Sequence, residues 1–120
     1  MSRSPPKTDS RLLGTWQSDR RRTFRHWKPK PGARPATLRK FKSLFGELVV
    51  RWTRKRCHIE LDGFRRWVDY ELVASDANSV VVREWDEFVE DYRLRYIQFG
   101  DGYYWLACSS GLNEYFRRVG

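Results

Sequence analysis

Apolar and polar residues alternate with a period of two along most of this chain, and the alternation is broken once by a stretch of helical period. Leu12 to Gln17 has β character and predicts a first strand. Ser18-Asp19 then offers a helix start, with Ser18 as the capping hydroxyl and Asp19 at the positive end of the dipole. Arg20 to Trp27 fits two turns with Phe24 and Trp27 on one side. Lys28-Pro29-Lys30-Pro31-Gly32 ends it, because proline cannot continue a helix. Pro35 opens a second helix at an N1-like position. Along it Leu38, Phe41, Leu44 and Phe45 make an apolar stripe opposite Arg39, Lys40 and Lys42, and Gly46 stops it.

After Gly46 the period becomes two. Leu48, Val50 and Trp52 alternate with Val49, Arg51 and Thr53, then Cys57, Ile59 and Leu61 with Arg56, His58 and Glu60. Asp62-Gly63 is a strong hairpin signal. Strands are expected over Phe64–Ala74, Ser79–Trp85, Tyr92–Phe99, Tyr103–Cys108 and Asn113–Val119. The turns between them are Ser75-Asp76-Ala77-Asn78, an acidic loop at 86–91, Gly100-Asp101-Gly102 and Ser109-Ser110-Gly111. With the first strand this makes eight in an unbroken meander. An open meander would leave two exposed edges, so the pattern predicts a mainly β fold, an eight-stranded up-and-down antiparallel barrel with one or two helices inserted after the first strand.

At 120 residues there is room for one hydrophobic core. Residues 1–10, Pro- and Ser-rich and without periodicity, read as a disordered tail, and 11–120 as the barrel domain. No run approaches a membrane span, and the N-terminus lacks the apolar core of an export signal. Cys57 and Cys108 fit no metal spacing and are expected to be reduced thiols in a cytoplasmic protein. Aromatic residues make up 16% of the chain, with six Trp, enough to fill or to line a cavity.

The net charge of +9 is unevenly spread: residues 1–56 carry 17 Lys and Arg against Asp9, Asp19 and Glu47, whereas residues 57–120 carry 7 against 12 acids. Arg21, Arg22, Arg25, Lys28, Arg39, Lys40 and Lys42 therefore form a candidate basic surface. It reads either as a solvated helical face or as an attractor of anions, with nucleic acid or an acidic protein as the partner. Phe24 and Trp27 within it are expected to pack on the barrel mouth.

Gly14-Thr15-Trp16 near the start and Glu114-Tyr115-Phe116-Arg117-Arg118-Val119 near the end supply what barrel closure needs. A guanidinium from the last strand can cover an indole on the first by cation–π contact. Gly14, Trp16, Arg117 and Arg118 are thus structural candidates. Only one arginine can face the indole, and strand parity favours Arg118, which shares its side with Phe116.

On these residues the chain resembles the calycin superfamily, which takes in lipocalins and fatty-acid-binding proteins. Gly14-x-Trp16 is similar to that superfamily's entry motif and the terminal arginine to its partner over the tryptophan. The inserted helices resemble the fatty-acid-binding lid. The chain also resembles small bacterial lipocalin-like proteins carrying Gly-Thr-Trp-x-Ser-Asp early and Glu-Tyr-Phe-x-Arg late. The resemblance implies a barrel that holds a small ligand. Fatty-acid-binding proteins have ten strands, so a barrel of eight is narrower.

Trp52, Tyr70, Tyr96 and Trp105 lie on alternating faces, where they either fill the barrel or wall a cavity. Arg66 and Arg95 (with Arg93) lie within strands, where an inward guanidinium could bind a ligand carboxylate or phosphate, although outward pairs with Asp69, Glu71 or Glu84 are the commoner arrangement. The acids at 86–91 lack the spaced, Gly-containing loop of a calcium site and read as a solvated hairpin tip. Cys57 and His58 are neighbours in a strand and face opposite ways, and with only His26 besides, neither a catalytic triad nor a zinc site assembles. The expectation is a non-enzymatic protein with no cofactor and no metal. It would bind a small, largely apolar ligand, with an anionic head as one variant, inside the barrel. The alternative is a filled barrel whose basic N-terminal half binds nucleic acid or an acidic protein.

Overall fold

The computed structural model describes residues 8–109 and 111–120. The eight expected strands form, in order: β1 Gly14–Ser18, β2 Val49–Trp52, β3 Arg56–Leu61, β4 Phe64–Ser75, β5 Ser79–Asp86, β6 Asp91–Phe99, β7 Tyr103–Ser109 and β8 Leu112–Arg118. Each pairs antiparallel with its neighbour in sequence, and β1 pairs with β8, so the sheet closes into an up-and-down barrel. Two short helices, α1 Arg20–Phe24 and α2 Pro35–Ser43, lie between β1 and β2. No helix among the described residues is long and apolar enough to cross a membrane.

Local chemistry sets the turns. Asp62 and Gly63 both take positive φ, 49° and 77°, which a two-residue hairpin of primed type requires, and Leu61 pairs with Phe64 across it. Asp19, not Ser18, is the N-cap of α1: its carboxylate accepts from the Arg22 amide. Ser18 instead belongs to β1, because its amide is already committed to the Leu48 carbonyl. Its hydroxyl accepts from the Gly46 amide and donates to Glu114 Oε2 at 2.8 Å.

Closure works through Arg118. Trp16 faces Arg118 in the β1–β8 register, and the guanidinium sits 4.2 Å from the indole centroid. Arg117 is turned to the outer face, where it donates to Gln17 Oε1. Strand parity had pointed the same way.

The tail expected over 1–10 falls largely outside the described residues. Of the leader, Thr8 to Leu13 turns under the barrel and seats Leu12, fully buried, in its base. Arg11 pairs with Asp9 at 2.8 Å and donates to the carbonyls of Asp76 and Ala77. That link joins the leader to the β4–β5 turn. Of the expected Ser109-Ser110-Gly111 turn, Ser110 lies outside the described residues.

The base half of the barrel is filled. Trp16, Trp52, Tyr70, Val80, Val82, Ile97, Tyr104 and Phe116 are all buried in one cluster. Tyr104 is edge-on to Trp16 at 4.7 Å and stacked on Phe116 at 5.0 Å. Its hydroxyl accepts from Trp52 Nε1 at 3.2 Å. Polar tips of buried rings are thus satisfied inside the core, as they must be.

A candidate ligand cavity beside an open seam

Beyond this filled base the barrel holds a partly open cavity of about 140 Å³. Its floor is made by Trp52, Ile97, Tyr104 and Phe116, and its apolar walls by Leu48, Val50, Ile59 and Leu106. These residues share a face because each lies an even number of positions from its strand's core residue. Two features give the cavity its character.

The first is a seam. β6 and β7 are joined by only two residue pairs, Gln98 with Trp105 and Phe99 with Tyr104. Past them the strands diverge, and residues from both lips, Arg93 and Arg95 on β6 and Leu106, Ala107 and Cys108 on β7, line the cavity. No helix residue lines the cavity.

The second is a set of charged groups. Arg95 Nε donates to Glu84 Oε1 at 2.9 Å, with the Glu84 side chain 11% exposed. The two are diagonal neighbours, since Val82 is the residue opposite Arg95 and Glu84 opposes Arg93. Arg93 is also drawn towards Asp86, at 3.8 Å. Glu114 completes the set from β8, where it faces Leu106 and accepts from Ser18. Burial pushes the Glu114 carboxyl above the usual carboxylate range, against the opposing pull of the Ser18 hydrogen bond and of Arg95. Burial likewise pushes the Cys57 thiol up to about 12, so it is neutral and unreactive.

The six residues expected to contact a ligand are divided by the structure. Trp52 and Arg95 line the cavity. Tyr70 points inward but belongs to the filled base, edge-on to Trp52 at 5.0 Å with its hydroxyl donating to the Thr53 carbonyl. Arg66 lies outside the cavity, in a surface groove with Trp67, Val68, Asp69, Trp85 and Glu87, where β4 and β5 have diverged past their last pair. Tyr96 and Trp105 are on the outer face. Their neighbours Ile97 and Tyr104 take the inner one, leaving Tyr96 65% exposed and Trp105 stacked on Tyr115 at 5.4 Å. Glu84, Glu114, Cys57 and Leu106 were not singled out as ligand contacts. Parity with Val82, Phe116, Ile59 and Tyr104 was the signal that could have found them.

The basic surface is largely as expected. Arg21, Arg25, Lys28, Arg39, Lys40 and Lys42 are exposed, and Arg22 is half-buried, pairing with Asp19 and lying over the Tyr103 ring. Phe24 and Trp27 meet Phe41 and Phe45 at ring distances of 5.2–5.9 Å, an aromatic cluster between the two helices.

Searched against family models, curated proteins and solved structures, the chain matches none of them. Among the described residues no cluster of His, Cys, Asp and Glu is placed to hold a metal ion.

Proposed function

We propose that this protein is a non-enzymatic binder of a small, largely apolar ligand held in the barrel cavity and admitted through the β6–β7 seam. The carrying observation is a cavity that is walled by apolar side chains on one side of a filled base and bordered by both lips of the seam. Its size limits the ligand. An apolar cavity of about 150 Å³ is enough for benzene, and drug-sized ligands occupy about 300–1,000 Å³. A single ring or a short branched chain fits, and a fatty acid does not. Kinship with the calycin superfamily belongs to this proposal, supported by the strand order and by the Gly14-x-Trp16 and Arg118 closure.

The anionic head considered from the sequence fits poorly with the charges here. Arg95 is already held by Glu84, so a ligand carboxylate would have to displace that partner and approach Glu114 as well. A polar group that donates a hydrogen bond, as a hydroxyl or amine does, meets an acceptor at Glu114 instead.

Thermal unfolding with benzene, phenol, benzylamine and benzoate, each at saturating concentration, tests this reading. Ligand binding to the native state alone raises stability by about 2.7 kcal/mol at a hundredfold excess over Kd. The expected result is a rise in Tm with the neutral or cationic rings, abolished in Leu106→Trp, which fills the cavity. No shift with any of the four, or a shift that survives Leu106→Trp, overturns it.

A further inference from the structure

The chain between β1 and β2 is far longer than the barrel needs. Gln17 pairs with Val49 and the Ser18 amide bonds to the Leu48 carbonyl, so two residues would suffice to join the strands. Residues 19–47 run out and back instead. Its two ends serve the barrel: the Asp19 amide donates to the Tyr115 carbonyl, Thr23 Oγ1 accepts from the Tyr115 amide, and Gly46 accepts from Gln17 Nε2 and donates to Ser18 Oγ. α2 has no buried residue, and its one ring, Phe41, meets Phe24 of α1 and the following Phe45. The excursion is thus an arm held in shape by its own aromatic cluster.

Residues 20–46 of this arm contain ten Lys and Arg and no Asp or Glu. Arg20 reaches Glu47 at 3.9 Å and Arg22 pairs with Asp19, both acids lying just outside that stretch. Among the described residues, Arg21, Arg25, Lys28, Lys30, Arg34, Arg39, Lys40 and Lys42 make no ion pair. In the barrel strands Arg56, Arg65, Arg83, Arg93 and Arg95 are paired with acids, whereas, among the described residues, Arg51, Arg66, Arg117 and Arg118 are not. Leaving eight cations unpaired on one arm costs repulsion that an anionic partner would relieve.

We infer that this arm is a nucleic-acid-binding surface that grips backbone phosphates without reading the bases. Three observations select nucleic acid over other anions. A helix that lies in a membrane surface keeps an apolar face free to insert, whereas here that face is spent on the ring cluster, and only Leu44 is a large exposed apolar residue of the arm. Protein interfaces centre on apolar and aromatic anchors and are depleted in lysine, and the arm's exposed face offers cations, four of them lysine, with its rings turned inward. Phosphate contacts need only cations at reach, which this face supplies. With the rings mutually engaged, none is placed to stack on a base, so the affinity should be blind to sequence.

The test is fluorescence anisotropy of the full chain with two unrelated labelled duplexes of about 20 base pairs, titrated between about 50 and 200 mM salt. Three to five neutralised phosphates predict a loss of affinity of roughly 40- to 500-fold over that range, equal for both duplexes. The triple variant Arg39→Glu, Lys40→Glu, Lys42→Glu should bind at least about tenfold more weakly at the lower salt and reduce the salt slope by about 2–3. A control of the same charge change elsewhere, Arg54→Glu, Lys55→Glu, Arg65→Glu, should bind nearly as the parent does. Equal losses in the two variants, no binding at low salt, or a salt-independent affinity overturns the inference. So does stronger competition by polyglutamate or by anionic vesicles than by unlabelled duplex at equal charge, which would assign the arm to an acidic protein or to a membrane.

Discussion

The Arg118 guanidinium lies 4.2 Å from the Trp16 ring centroid and donates to two backbone carbonyls of the leader, Leu13 at 2.7 Å and Arg11 at 2.9 Å. The indole in turn donates from Nε1 to the Leu12 carbonyl at 2.8 Å. One contact therefore ties the first strand, the last strand and the leader together at the point where the sheet closes. Trp16→Ala should cost about 3–5 kcal/mol, as truncation of a large buried aromatic does. Arg118→Ala should cost less, about 1–3 kcal/mol, through lost charge-assisted hydrogen bonds and exposure of the ring. Arg117→Ala, on the outer face, should stay within about 0.5 kcal/mol of the parent. Urea unfolding of the three variants checks the order.

Gly14 is required by the same closure. Its φ is +126°, and a Cβ there would sit 2.6 Å from Arg118 Nη1 and 2.8 Å from the Gly120 carbonyl oxygen. Gly14→Ala should therefore destabilise by at least about 1–3 kcal/mol, from strain alone. Gly32, also at positive φ but with nothing near, should tolerate alanine better in the same melt.

Glu114 makes stability depend on pH in a stated direction. Burial raises its folded-state value above that of the unfolded chain, so the folded state holds the proton more tightly. Its contribution is fully present below the ordinary carboxylate value and is lost as pH rises through the raised one. Arg95, Glu84 and Ser18 surround it, and Glu114→Gln keeps an acceptor for the Ser18 hydroxyl while removing the titration. The variant should gain stability over the parent near neutral pH, and the gain should shrink in acid. A difference that does not vary with pH would contradict this assignment.

The Glu84–Arg95 pair sets which ligand charge the cavity accepts. Glu84→Gln frees a guanidinium inside an apolar wall, and the variant should bind benzoate where the parent does not, by calorimetric titration. It should also lose stability, by about 1–3 kcal/mol once the partial exposure of Arg95 is allowed for.

The two thiols line one cavity but differ in reactivity. Cys57 is buried with its value raised to about 12, whereas Cys108 stands exposed at the seam. A thiol reagent at mildly alkaline pH should modify one cysteine per chain rapidly, and Cys108→Ser should abolish that phase. Modification of Cys57 should follow unfolding only.

Period and turn chemistry in the sequence were enough to determine the number, order and pairing of the strands, because each hairpin is a local event. The closure was legible for a related reason. Gly14, Trp16 and Arg118 carry residue types that few other roles require, and parity with Phe116 separated Arg118 from Arg117. The cap of α1 lies one residue beyond Ser18, because Ser18 is engaged by Leu48 and Glu114, and those contacts come from distant strands. The cavity was decided by tertiary structure alone. Alternation marks two faces on each strand, and the closed sheet settles which of them is the inner one. It places Trp52 in the cavity floor, Tyr70 in the base, and Tyr96 and Trp105 outside. The cavity itself exists because β6 and β7 part after two pairs, and how far two strands stay together is a property of the whole twisted sheet rather than of either strand.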